Sequence, residues 1–168
     1  GAKTSMQRLI LLRHGKAEAS APSGRDFDRV LTARGARDSL LAAQALAKDG
    51  FSPDLALVSP AARALQTWQA AAPVFPKAKV VMDKTLYDAE PEAILKAART
   101  QGAGAPTVLV VAHNPGLHQL ALTLAQNCPD APDRAQLFAG FPTGAAAVFD
   151  LDAGRLALIT PKALGGGA

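Results

Sequence analysis

Apolar residues fall along this chain in two rhythms, and their alternation predicts a strand–helix order. Within a strand predicted at 7–12, Leu9, Ile10, Leu11 and Leu12 stand unbroken, the pattern of a strand buried on both faces. A polar loop over 15–30 follows. Ala36, Leu40, Ala43 and Ala47 then recur at helical spacing behind Thr32, whose hydroxyl can cap a helix, and Gly50 offers the left-handed residue that ends one. A strand over 54–58 comes next, then a helix over 61–72 stopped by Pro73. A short strand at 79–82 and a loop through Leu86-Tyr87-Asp88 lead to a helix that Pro91 opens and that runs to about Arg99. The β-branched run at 107–111 reads as a central strand, and 116–126 as a helix. Residues 128–142 are rich in proline and read as an irregular excursion. Two last strands at 145–151 and 155–159 flank Asp152-Ala153-Gly154, a hairpin turn.

Strands alternating with helices and closed by a hairpin predict an α/β protein. The expected form is a three-layer α/β/α sandwich with a mainly parallel central sheet. At 168 residues the chain reads as a single domain over 6–162. Residues 1–5 read as a vector-derived leader before a natural start at Met6, and 163–168 as a flexible tail. Hydrophobic residues make up 49% of the chain but aromatics only 5%, which suits close helix–sheet contacts through small side chains. No apolar run reaches the roughly 18 residues of a membrane span, and no apolar centre precedes a cleavage site near the start, so the expected location is cytoplasmic. Cys128 is the only cysteine, which excludes an internal disulfide. The net charge is +4, yet the basic residues are scattered without a block or an aromatic stripe. Nucleic-acid and membrane partners are therefore disfavoured, and the excess fits attraction toward anionic substrates, phosphates included.

Chemistry gathers where strands end. Arg13-His14-Gly15 closes the first strand, Ser59-Pro60 after the second leads to Arg63, and His113-Asn114-Pro115-Gly116 follows the fourth. Loops leaving the carboxyl ends of parallel strands form the ligand crevice of such folds, so the chain path alone can assemble these residues. Arg13 and Arg63 offer planar forks that each grip two phosphoryl oxygens, and His113, if protonated, adds a third positive contact. Gly15 allows close approach to the backbone. Cations around His14 favour its neutral form, leaving one ring nitrogen to attack phosphorus while the other donates to a backbone carbonyl. A phosphohistidine on His14, hydrolysed by water, is the expected intermediate, with no metal or other cofactor required. His118 lies on another helix face and lacks acidic or cysteine neighbours in the sequence that would make it a metal ligand. Arg25, Asp26, Asp28 and Arg29 read as a surface charge mixture with a docking role open to them. Lys16 reads equally as a phosphate attractor or a solvated lysine, and Trp68 as helix packing.

Leu11-Leu12-Arg13-His14-Gly15 resembles the signature of the histidine phosphatase superfamily, the phosphoglycerate mutase-like fold. The segment Ser59-Pro60-Ala61-Ala62-Arg63-Ala64-Leu65-Gln66-Thr67 is similar to its second element, which carries a phosphate-binding arginine. Val111-Ala112-His113-Asn114 is similar to the third, which supplies the second catalytic histidine. Within the superfamily the chain looks most like the short bacterial phosphohistidine phosphatases of the SixA type. It shares with them Val30-Leu31-Thr32-Ala33-Arg34-Gly35, Leu86-Tyr87 and Phe141-Pro142-Thr143-Gly144. The resemblance implies that Asn114 and Gly144 lend backbone N–H groups to the phosphate.

Larger members place a carboxylic general acid after the third strand. Here that region reads Tyr87-Asp88-Ala89-Glu90-Pro91-Glu92, without their pattern, and Asp88 or Glu90 is the candidate acid. An alkoxide leaving group needs such an acid, whereas the imidazole of phosphohistidine leaves readily. The expected substrate is accordingly a phosphorylated protein, such as a histidine phosphotransfer domain, with inorganic phosphate as product. The alternatives are a small phosphate ester or a module that binds phosphorylated ligands without turnover.

Overall fold

The computed structural model describes residues 6–167; the leader expected at 1–5 and Ala168 lie outside the described residues. A six-stranded sheet divides the molecule, ordered β3-β2-β4-β1-β5-β6. Its strands are β1 (Arg8–Arg13), β2 (Leu55–Val58), β3 (Lys79–Met82), β4 (Thr107–Ala112), β5 (Ala146–Asp150) and β6 (Arg155–Ile159). The first four run parallel, while β5 lies antiparallel to β1 and pairs with β6 as a hairpin. The helices are α1 (Ala33–Lys48), α2 (Ala62–Ala71), α3 (Pro91–Gln101), α4 (Gly116–Ala125) and α5 (Arg134–Ala139). The predicted three-layer architecture is the one observed.

Alternation along the central strands sorts the side chains into two cores. Leu9 and Leu11 of β1, with Val108 and Val110 of β4, pack against α3 and α4 through Ile94, Ala98, Leu117 and Leu120. Ile10 and Leu12, with Leu109 and Val111, face the other way toward Ala42, Ala43, Leu46, Ala64 and Trp68 of α1 and α2. All four β1 leucine and isoleucine side chains are fully buried, each contributing about 1.5–3 kcal/mol over an exposed position. This explains the unbroken apolar run: a strand covered on both faces has no solvent side to mark.

Local signals act as expected at α1. Thr32 Oγ1 accepts the Gly35 N–H at 3.0 Å. At the other end Gly50 adopts φ +80°, and the Phe51 and Gly50 N–H groups donate back to Leu46 and Ala47. Two segments differ from the sequence pattern. The proline-rich excursion contains α5, six residues docked by the buried Leu137, and the first loop carries a 3-10 turn at Asp26–Asp28. Proline frequency hid the first, and the second is held by contacts distant in sequence. At the C-terminus, Gly166 N–H donates to Pro161 (2.7 Å) and Gly167 N–H to the buried Asp38 carboxylate (3.2 Å).

Candidate active site

Three parallel strands end at one edge of the sheet, each on a residue with chemistry to offer. His14 follows β1, Ser59 follows β2 with Arg63 in the first turn of α2, and His113 follows β4. Backbone hydrogen bonds join these ends: His14 N–H to Ala112 carbonyl (3.3 Å) and Ser59 N–H to Val111 carbonyl (3.0 Å). The two histidines are thereby brought face to face, with ring centroids 5.2 Å apart and planes inclined by 51°. Both are buried, at 6% and 7% exposure.

His14 Nδ1 lies 2.8 Å from the Gly15 carbonyl, which accepts its proton. Burial is the largest influence on this ring, and together with the charges of Arg13, Arg63 and Arg29 it lowers the pKa to about 4 against the opposing pull of that hydrogen bond. At neutral pH the ring is uncharged, so Nε2 carries the lone pair. His113 Nε2 sits 2.7 Å from Ser59 Oγ, while its Nδ1 is buried without a partner among the described residues. Burial first, and the adjacent His14 next, lower its pKa to about 3. Burial thus favours the neutral form of His113, whereas a third positive contact from it requires protonation.

The charge comes from guanidiniums. Arg13 Nη1 donates to the Phe141 carbonyl at 3.1 Å, leaving Nε buried and unpartnered among the described residues. Burial and the neighbouring Arg63 lower the pKa of Arg13. Arg63 is 6% exposed; its Nη1 donates to the Asp26 carbonyl (2.8 Å) and its Nη2 to the Asp26 carboxylate (2.9 Å). That carboxylate also accepts from Tyr87 Oη (2.6 Å) and Arg29 Nε (3.0 Å). The Tyr87 hydroxyl chiefly, with Arg63 and Arg29, holds Asp26 far below the usual carboxylate range, and the same bond raises the Tyr87 pKa. Tyr87 in turn sets its ring edge-on to His113, centroids 5.6 Å apart. Asp26, Arg29 and Tyr87 therefore border the site, whereas the sequence reading left the first two as surface charges. Only their proximity in a folded loop reveals them.

The backbone positions expected around a phosphate, Gly15, Asn114 and Gly144, divide. Gly15 N–H donates to Thr67 Oγ1 (3.0 Å), and Gly144 N–H is shared between the Arg13 and His14 carbonyls (3.1 and 2.9 Å). Neither is free to bind phosphate here; both hold the His14 backbone in place. Glycine is demanded at these positions for other reasons. Gly144 adopts φ +77°, and a Cβ on Gly15 would lie 2.4 Å from the Gly35 carbonyl oxygen. Asn114 N–H has no acceptor among the described residues, while its side chain bridges the Phe141 carbonyl and His118 N–H. Asp88 and Glu90 are exposed and line a cleft of about 110 Å³ with His113 and Asn114. His118 spends Nε2 on the Leu137 carbonyl (2.7 Å) and stacks on Phe141, and Trp68 stacks on Phe75. Among the described residues no three His, Cys, Asp or Glu side chains cluster as metal ligands. No helix there is long and apolar enough to cross a membrane.

The sequence profile of the histidine phosphatase superfamily (branch 1) matches residues 9–91. The SixA protein of Agrobacterium tumefaciens, a solved structure, is 35% identical with a TM-score of 0.76, covering 93% of this chain and 97% of that one. The chain belongs to the histidine phosphatase superfamily. It is a phosphatase enzyme of that family. A protein histidine phosphatase SixA solved in complex with tungstate is 25% identical, with a TM-score of 0.70 over 94% of this chain and 99% of that one. An uncharacterized protein of Mycobacterium tuberculosis is 34% identical over 152 residues, 89% of this chain and 92% of its own length.

Proposed function

We propose that this histidine phosphatase removes the phosphoryl group from phosphohistidine in a signalling or phosphotransfer protein, through a phosphohistidine intermediate on His14. The observation that carries the reading is the state of the His14 ring. Its Nδ1 proton is pinned to the Gly15 carbonyl, so the neutral imidazole turns its other nitrogen toward the space shared with His113, Arg13 and Arg63. His14 Nε2 attacks phosphorus, a new N–P bond forms, and the bond to the substrate imidazole breaks, that imidazole leaving with a proton. Water then attacks the phosphorus of His14, releasing inorganic phosphate and restoring the free ring.

Arg13 and Arg63 compensate the oxygen charge through both steps, with no metal needed to do so. His113 Nδ1, buried and unpartnered, is placed to donate to a phosphoryl oxygen when Ser59 O–H occupies Nε2. Asn114 N–H is a second neutral donor. Likeness to a SixA solved with tungstate, a tetrahedral oxyanion, supports the capacity to bind a phosphoryl group.

Asp88 and Glu90, on the His113 cleft, favour a second reading in which one of them protonates the alkoxide of a small phosphate ester. Turnover of a phosphohistidine protein and of a panel of esters separates the two, with His14→Ala as control. Faster phosphohistidine turnover, abolished in the variant, is expected. Preferred ester hydrolysis that collapses in Asp88→Asn or Glu90→Gln overturns the substrate, and activity retained in His14→Ala overturns the mechanism.

A further inference from the structure

Arg63 is buried at the floor of the site, yet two of its five N–H donors are already used, both by Asp26. Which two decides what the contact does. Nη1 and Nη2 together form the tip of the guanidinium, and the tip grips Asp26 through its backbone carbonyl and its carboxylate. The side edge, made by Nε–H and the second Nη2–H, remains, and Nε is buried without a partner among the described residues. A guanidinium can hold one anion on each edge, since both present two parallel N–H groups in a plane.

Resting on the phosphoryl-transfer reading above, we propose that Asp26 is a positioning residue. It clasps the tip of Arg63 so that the Nε–Nη2 edge is turned to the phosphoryl group. Asp26 is itself held from two sides. Arg29 binds Oδ1 at 3.0 Å from within the same loop, and Tyr87 binds Oδ2 at 2.6 Å from the loop after β3. Tyr87 packs edge-on against Phe27, 5.1 Å between centroids, and against His113. The carboxylate therefore links the first loop, the loop after β3, the start of α2 and, through Tyr87, the second histidine. A free arginine side chain rotates about several bonds, and its planar fork is useful to a phosphoryl group in only one orientation. Asp26 removes that freedom before substrate arrives.

The opposite role is the one to test against. If Asp26 instead occupied Arg63 in competition with phosphate, its removal would free the guanidinium, strengthen oxyanion binding and raise activity. The experiment measures the Kd of inorganic phosphate by calorimetry, together with kcat and KM on a phosphohistidine protein, for the wild type, Asp26→Asn, Asp26→Ala and Tyr87→Phe. Positioning predicts phosphate binding and kcat/KM weaker by roughly 10-fold in Asp26→Asn, and further in Asp26→Ala, which also loses the side-chain acceptor. Tyr87→Phe, which keeps the ring on His113 but not the hydroxyl, should lose roughly 3-fold in both. Tighter phosphate binding or faster turnover in the Asp26 variants overturns the proposal. So does a change confined to melting temperature with phosphate affinity intact. Wild-type activity that His14→Ala abolishes, beside unaltered Asp26 variants, sinks this inference alone; activity surviving His14→Ala sinks the reading beneath it.

Discussion

Gly35 stands at the third position of α1 and touches the backbone that follows His14, the proposed nucleophile. A Cβ built there lies 2.1 Å from the Lys16 carbonyl oxygen and 2.9 Å from the Lys16 nitrogen. Reaching even 3.0 Å from that oxygen requires the two backbones to part by 0.9 Å (3.0 minus 2.1). In Gly35→Ala two effects oppose. Alanine favours the helix by about 1 kcal/mol over glycine in an interior position, and by less this close to the N-terminus. Overpacking a close contact typically costs about 1–3 kcal/mol. Here the obstacle is main chain on both sides, with no flexible side chain to yield, so the cost wins.

The expected net loss is about 2 kcal/mol, or roughly 4–8 °C in Tm for a domain of this size. Displacement is passed on, because Gly15 packs on Gly35 from the other side and its carbonyl fixes His14 Nδ1. Turnover should therefore fall by roughly 10–100-fold, as for other sub-ångström misplacements of reacting groups. Thermal denaturation followed by circular dichroism, with kcat on the phosphohistidine substrate, reads both quantities. A variant with unchanged Tm and unchanged kcat would refute the argument, and one destabilised but fully active would refute its second half.

Four further outcomes are expected. Neither buried imidazole should titrate near pH 6.5; nitrogen chemical shifts should place His14 near pH 4 and His113 near pH 3, and a midpoint above 6 for either contradicts the burial argument. Because both native values are depressed, the unfolded chain binds more protons below pH 6.5. Stability should then be full above that pH and fall as it drops toward 4, the fall from 6.5 to about 4 at His14 corresponding to about 3 kcal/mol. Urea unfolding at pH 7.5, 6 and 5 should accordingly show a steeper decline in the wild type than in His14→Gln; parallel slopes count against it. Ser59→Ala removes the only hydrogen-bond partner of His113 Nε2 among the described residues and should lower kcat by roughly 10-fold, with nitrogen shifts reporting a mixed tautomer; an unmixed tautomer and wild-type kcat would show that Ser59 does not orient the ring. Trp68→Ala, on the buried face of α2 against Phe75, should cost about 3–5 kcal/mol in chemical denaturation, and a loss under 1 kcal/mol would mean the layer collapses onto the gap.

The sheet and most helices were legible because their signals are local. Apolar runs named the buried strands, Thr32 and Gly50 bounded α1, and Pro91 opened α3. The meeting of His14, Arg63 and His113 followed from parallel strands ending together, which is a property of the chain path and not of any one residue. What escaped depends on contacts across long separations. Asp26 reaches Arg63 over 37 residues and Tyr87 over 61, and nothing in the run Arg25 to Arg29 distinguishes such a carboxylate from a solvated one. The sequence offers Gly15 as a point of close approach to the backbone, and the family resemblance implies a phosphate-binding N–H at Gly144. Their N–H groups instead have intramolecular acceptors in Thr67, Arg13 and His14, and only a folded backbone shows that. The helix at 134–139 was hidden by flanking prolines, since composition describes a segment's ends better than its middle.

Seating both imidazoles on adjacent strand ends in the middle of the sheet has a bearing on how such an enzyme can change. The proposed catalytic pair shares the fate of the most thoroughly covered strands, so its spacing is inherited with the fold and survives drift elsewhere. The opposite wall, joined largely through one aspartate, belongs to two surface loops that can lengthen, shorten or alter charge at little thermodynamic expense. New recipients of the same chemistry can thus be acquired by rewriting that wall while the reacting atoms stay where they are.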